Sequence, residues 1–182
     1  LIYQHLKILL PMINQKVADL LNDQINKEFY SAYLYLDMSN YFENRGLDGF
    51  ANWYKVQAQE ERDHAMLFYQ FLQNNDCKVE LKAIDKPDKV FKCDMDVLKA
   101  GLTHEEYVTS LINNIYAEAY ADHDFRTMQF LDWFIKEQGE EETNARDMIT
   151  KMELFGNDPK GLYMLNQELA GRAYSAPSLV LD

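Results

Sequence analysis

The sequence predicts an all-α fold: a four-helix bundle with one long crossover between its second and third helices and a short fifth helix near the C-terminal end. Apolar residues recur at three- and four-residue intervals through four long segments, as they do on helices that bury one face. Only 7 Gly and 4 Pro punctuate 182 residues, and long stretches contain neither, so little interrupts a helix. One segment, residues 77–93, is long, contains Pro87 and has no helical period. With 47% hydrophobic and 13% aromatic residues the chain can bury a sizeable core and is not disordered.

Taken in order, the first helix is expected over residues 13–41, stopping before the turn at residues 44–46. The second starts near Leu47 and ends at residue 74, where Asn74, Asn75 and Asp76 break the pattern. Asp94 is a good N-cap for a third helix reaching residue 122. After a very tight turn Asp124 caps the fourth, which continues to Phe155, with Gly156 in C-cap position. A fifth, short helix is expected over residues 161–172. A helix of about 28 residues is ~42 Å long and an extended stretch of about 17 residues reaches ~55 Å. The crossover can therefore run the length of the bundle and start the third helix at the far end.

One domain is expected over residues 12–172. Residues 1–11 lack the basic start and cleavage site of a signal peptide, and Met12 resembles a start position, so they read as an extension of unknown origin. Residues 173–182 form a C-terminal tail. The net charge of −12 disfavours nucleic acid and anionic membranes and suits a protein that handles cations, although acidity also serves plain solubility. Cys77 and Cys93 match neither a disulfide framework nor a zinc motif, and reduced thiols in a cytoplasmic protein are the default. No run approaches the length of a membrane-spanning helix.

The chemistry lies where carboxylates interrupt the apolar stripes. The expected inward positions are Leu21, Ile25, Glu28, Ala32 and Tyr35 on the first helix, and Phe50, Tyr54, Gln57, Glu61, His64, Phe68 and Phe71 on the second. The third contributes Leu98, Leu102, Glu105, Val108, Ile112 and Ile115, and the fourth Phe130, Phe134, Glu137, Glu141, Met148 and Met152. Each helix thus turns a glutamate toward the core. A single inward glutamate is often a satisfied polar contact, but four together repel one another and each costs several kcal/mol to bury ionised. Bound cations make such a cluster tolerable. Glu61 and His64, three residues apart, share one face as a Glu-x-x-His ligand pair. Carboxylates with at most one imidazole per metal suit iron or manganese better than zinc.

The stretches NDQINKEFYSAYLYLDMS, AQEERDHA, FLDWFIKEQGEEE and GLYMLNQEL resemble bacterial non-haem ferritins, and the resemblance extends over residues 12–172. It implies a di-iron centre: Glu28, Glu61 and His64 at a first iron, and Glu61, Glu105 and Glu141 at a second, with Glu61 bridging. It further implies a third iron site of Glu60, Glu137, Glu140 and Glu141. Gln138 stands where symmetric di-iron proteins carry a second Glu-x-x-His, and as a neutral neighbour it should hold ferric iron less firmly at the second site. Tyr35, seven residues after Glu28, is placed to bond near the centre and supply an electron. Arg62 replaces the haem-ligating Met of bacterioferritins, so no haem is expected. The function implied is storage of iron oxidised by O2 or H2O2, in a cytoplasmic cage of twenty-four subunits. A rubrerythrin-like di-iron peroxidase is the alternative; it would want a second Glu-x-x-His. His5, His104 and His123 are expected at surfaces or interfaces, and Trp133 in packing.

Overall fold

The computed structural model describes residues 12–181, so the expectations for residues 1–11 and for His5 fall outside the described residues. Five helices follow one another: α1 (Gln15–Asn44), α2 (Asp48–Asn74), α3 (Asp94–Ala121), α4 (Phe125–Phe155) and α5 (Pro159–Ala170). α1 packs along α2 and α3 along α4, while α1 also meets α3, and α5 closes the end against α2 and α4. The all-α bundle with a long crossover and short fifth helix is as the sequence predicts.

The helix ends follow from local chemistry. Asn14 opens α1, its side chain accepting from the Lys16 N–H at 2.8 Å. α1 runs three residues beyond its expected end, to the Arg45–Leu47 turn, where Gly46 takes the left-handed φ of 71° that glycine alone adopts without strain. Asp124 caps α4 through Thr127, with 3.0 Å to its backbone N–H and 2.6 Å to its hydroxyl. α5 starts two residues early because Asp158 accepts from the Gly161 N–H and Pro159 occupies the first turn, where no N–H is needed.

α3 corrects one expectation. Its N-cap is Cys93, and Asp94 is already helical. The Asp94 carboxylate turns instead to α1, accepting from Arg45 Nε at 3.0 Å and Tyr41 Oη at 3.0 Å. Asp96, in the first turn, reaches back to accept the Lys92 N–H at 3.0 Å.

The crossover runs along α1. Asn22 donates to the Lys78 carbonyl at 3.0 Å and accepts the Glu80 N–H at 2.8 Å, Asn26 donates to the Ala83 carbonyl at 2.9 Å, and Phe91 meets Tyr41 edge-on at 5.7 Å. α1 is thereby antiparallel to both α2 and α3, and α2 antiparallel to α4. Two apolar clusters fill the bundle. Leu21, Ile25, Phe68, Ile112, Phe130 and Phe134 belong to one, and Leu34, Phe42, Phe50, Tyr54, Leu98 and Met148 to the other. What separates the clusters is polar.

Residues 173–181 are anchored to the bundle. Tyr174 donates to Asp63 at 2.5 Å, Trp133 Nε1 donates to Ser178 Oγ at 2.8 Å, and Leu179 and Leu181 pack on the first cluster.

Candidate metal centre

Between the apolar clusters lies a layer of buried polar side chains from all four long helices: Gln24 and Glu28, Gln57, Glu61 and His64, Glu105, and Gln138 and Glu141, each 5% exposed or less. Helical register puts them there, since each replaces an apolar residue on a stripe that otherwise faces the core.

Glu28, Glu61 and His64 converge, with one ligand atom from each lying within 4.8 Å of the others. His64 Nδ1 is 3.5 Å from Glu61 Oε2, Gln57 Nε2 donates to Glu61 Oε1 at 2.9 Å, and Gln24 Nε2 donates to Glu28 Oε1 at 2.7 Å. Glu28 Oε2 is buried with no hydrogen-bond partner. A buried carboxylate oxygen left without a donor is costly in a purely structural role, and a cation at the trio would satisfy it. The donor set of two carboxylates and one imidazole fits a first-row divalent ion.

Glu105 and Glu141 are buried in the same layer, and Glu105 has partners of its own. Tyr35 donates its hydroxyl to Glu105 Oε1, and Gln138 Nε2 donates to Glu105 Oε2 at 3.1 Å. Gln138 also reaches Thr109 Oγ1 at 3.3 Å. A cavity of about 10 Å³, its walls including Tyr35, Gln57, Glu105 and Glu141, lies beside them.

The charges in the layer follow from burial and crowding. Burial, then the Glu61 charge, pushes Glu28 up to about 8. Burial followed by the Glu61 and Glu141 charges holds Glu105 well above the ordinary carboxylate range. Glu141 rises to about 7 for the same leading cause, burial, with Glu61 next. Burial alone would raise Glu61 too, but its bond to His64 and the imidazolium charge bring it below the usual value. On His64 burial opposes charge, and Glu61 with its neighbours outweighs that and lifts the ring to about 10. Without metal, the layer therefore holds one Glu61–His64 ion pair among largely protonated carboxyl groups.

Of the four residues expected at a third site, Glu141 is buried in the layer, and Glu60 and Glu137 lie near enough that the Glu137 charge acts on Glu60. Glu137, expected inward, is only half-buried, because Gln138 takes the core-facing position. Glu140 is exposed and lies 3.5 Å from Lys136. Glu60 is paired with Arg172 at 2.5 Å.

His104, expected at a surface or interface, is instead buried within the bundle at 7% exposure. Its Nε2 lies 2.7 Å from Ser31 Oγ and its ring stands edge-on to Tyr35 at 5.9 Å. Burial drives its pKa down to about 4, so it is neutral at physiological pH. Its partners come from α1, 73 residues away, and no local pattern announces them. Gln24 was missed although a signal existed: it lies four residues before Glu28, as Gln57 does before Glu61, the spacing of side chains that meet on a helix. Arg172 was missed entirely. Trp133, expected in packing, lies edge-on to His64 at 5.5 Å as well as bonding Ser178.

A helical bundle with an imidazole and carboxyl groups from four helices buried at one level defines a metal-handling bundle protein. The family model for the ferritin-like domain matches residues 18–155. The chain is 37% identical to the bacterial non-heme ferritin of Campylobacter jejuni over 90% of its own length and 98% of the relative's. It is 36% identical to that of Staphylococcus haemolyticus, with the same coverage. In structure it is similar to an open-pore ferritin from the archaeon Archaeoglobus fulgidus, with a TM-score of 0.87, 40% identity, and coverage of 90% of this chain and 100% of that one. The chain belongs to the ferritin family. Among the described residues no helix is long and apolar enough to cross a membrane.

Proposed function

We propose that this iron-storage ferritin subunit oxidises ferrous iron at the buried carboxylate layer and passes the ferric product to a mineral store. The observation that carries the reading is the layer itself: four glutamates and one histidine from four helices, buried between two apolar clusters, with one Glu28 carboxylate oxygen left without a hydrogen-bond partner.

Two Fe(II) ions are the substrates. Glu28, Glu61 and His64 receive the first, and Glu61, Glu105 and Glu141 the second, with Glu61 shared. Receiving cations requires the protonated carboxyls to give up protons, which the ions' charge makes favourable. Each pair of ions yields two electrons; O2 takes them to become H2O2, or H2O2 takes them to become water. Tyr35, hydrogen-bonded to Glu105, holds that carboxyl in the layer and stands close enough to lend an electron. Gln138 supplies a neutral donor where a charged or imidazole ligand would hold the second ion harder. Glu60, Glu137 and Glu140, with Glu141, form a third site on the way out. The chain carries no haem. One isolated bundle has no interior volume for a mineral, so storage requires a closed shell, here twenty-four copies in the cytoplasm.

Glu61→Ala tests the reading. Losing the shared ligand should abolish rapid oxidation in stopped-flow mixing with Fe(II) and O2, while size-exclusion chromatography still shows the assembled shell. Oxidation at the wild-type rate in an assembled variant would sink the ligand assignment.

A further inference from the structure

The chain after α5 does something that neither the helix pattern nor the buried layer requires. α5 is docked on the start of α2, where Asn166 Oδ1 accepts the Gly49 and Phe50 N–H groups at 2.9 and 3.2 Å. Asn52 Nδ2 then holds the Arg172 carbonyl at 3.0 Å, which fixes the backbone at that point. The Arg172 guanidinium stacks 4.1 Å above the Trp53 ring, donates from Nη1 to the Trp53 carbonyl at 3.2 Å, and donates from Nη2 to Glu60 Oε2 at 2.5 Å. Beyond it the strap bonds Asp63 through Tyr174 and Trp133 through Ser178, crossing from α2 to α4.

Among the described Lys and Arg ion pairs, this one alone has both side chains less than a fifth exposed: 19% for Arg172 and 17% for Glu60. A planar guanidinium held by a ring, a carbonyl and a carboxylate is preorganised, and withdrawal from solvent protects it from screening. It sits on Glu60, the neighbour of Glu61 in sequence.

We propose that Arg172 is a tethered counter-ion that competes with iron for Glu60, so that filling the third site releases the C-terminal strap. The inference rests on the reading of Glu60 as a third-site ligand. A guanidinium on one carboxylate oxygen repels a metal ion approaching the other, and the two positive charges share a half-buried position. The third site is thereby closed to weakly held divalent ions and opens to the more highly charged ferric product, which repays displacement of the arginine. Arg172 acts as a positioning and specificity residue and touches no reacting atom. Because the coupling is reciprocal, whatever binds Glu60 also weakens the hold on residues 172–181.

The test uses the assembled, metal-free protein. Crystals of wild type, Arg172→Met and Glu60→Ala are titrated with Zn(II), and occupancy beside residues 60 and 137 is read from anomalous scattering. Methionine keeps an apolar stem over Trp53 and removes the charge. The half-saturating Zn(II) concentration should fall about tenfold in Arg172→Met, the order expected for removing one opposed charge at a half-buried site. In parallel, amide hydrogen exchange of wild type is followed over residues 172–181. Exchange should quicken as Zn(II), or better Ga(III) as a redox-inert trivalent ion, fills that site. Wild-type half-saturation in Arg172→Met, or exchange over the strap that stays unchanged while the site fills, overturns the proposal. If Glu60→Ala loads Zn(II) beside residue 137 as wild type does, the third-site reading itself fails, a separate and distinguishable result. Should Arg172→Met not assemble, the wild-type exchange measurement decides alone.

Discussion

Replacing Glu28 with glutamine should make the metal-free protein more stable and the metal-loaded protein less so. Glu28 is 1% exposed, and its carboxyl is raised from 4.5 to about 8, first by burial and then by Glu61. The sign follows from linkage: between those two values the unfolded chain has lost a proton that the folded chain keeps, so stability falls as pH rises. Each pH unit in that window costs about 1.4 kcal/mol, so at pH 7 the wild type carries a penalty of about 3 kcal/mol that a neutral amide does not. At pH 5 the same penalty is under about 1 kcal/mol. The amide keeps the acceptor that Gln24 uses and replaces the unpartnered oxygen with a donor facing Glu61. For a domain of this size about 3 kcal/mol corresponds to roughly 6–12 °C in Tm. Calorimetry of chelator-treated wild type and Glu28→Gln, in the same assembly state at pH 5 and pH 7, reads the difference. Zn(II) should then reverse the order, raising the wild-type Tm above that of the variant. A variant that melts at or below wild type without metal at pH 7, or a gap that does not widen from pH 5 to pH 7, would refute the reasoning.

Three further outcomes are expected. Zn(II) binding to the metal-free protein at pH 7 should release about two protons at the first site, one from Glu28 and one from His64, because both are held protonated there; a pH-stat trace with no release would remove them as ligands. Glu137 and Glu140 changed together to Ala should leave the first fast oxidation largely intact but alter the iron oxidised per O2 and the pace of later additions, as oxygen-electrode titrations would show; unchanged stoichiometry and repeated turnover would reduce them to surface acids. Gly49→Ala should cost several kcal/mol and free α5, since a Cβ there would lie 1.7 Å from the Asn166 carbonyl oxygen; thermal melting and protease sensitivity of α5 measure it, and a wild-type melt would contradict the docking.

Much of the architecture was legible in the residues. The 3.6-residue period, the caps at Asp124 and the turn at Gly46 are local properties, so four long helices could be placed to within a few residues at each end. The crossover's length and lack of period allowed it to run the length of the bundle, and its bonds to Asn22 and Asn26 lie on that path. The inward glutamates were legible for the same reason, because a stripe shows which face an interrupting residue shares. The stripe was less sharp at its edges: Glu137 and Gln138 are one residue apart, about 100° on the helix, and their order of burial depends on what packs there.

The sequence by itself therefore determined the helices, their order and direction, and that Glu28, Glu61, Glu105 and Glu141 face inward. Tertiary structure alone decided how those carboxylates are partnered. Tyr35 reaches Glu105 across 70 residues, Ser31 reaches His104 across 73, and Arg172 reaches Glu60 across 112. Helical periodicity assigns a side chain to a face but says nothing about the rotamer it takes or the neighbour that arrives from another helix. Those are settled by packing, burial and the balance of charge in the assembled core.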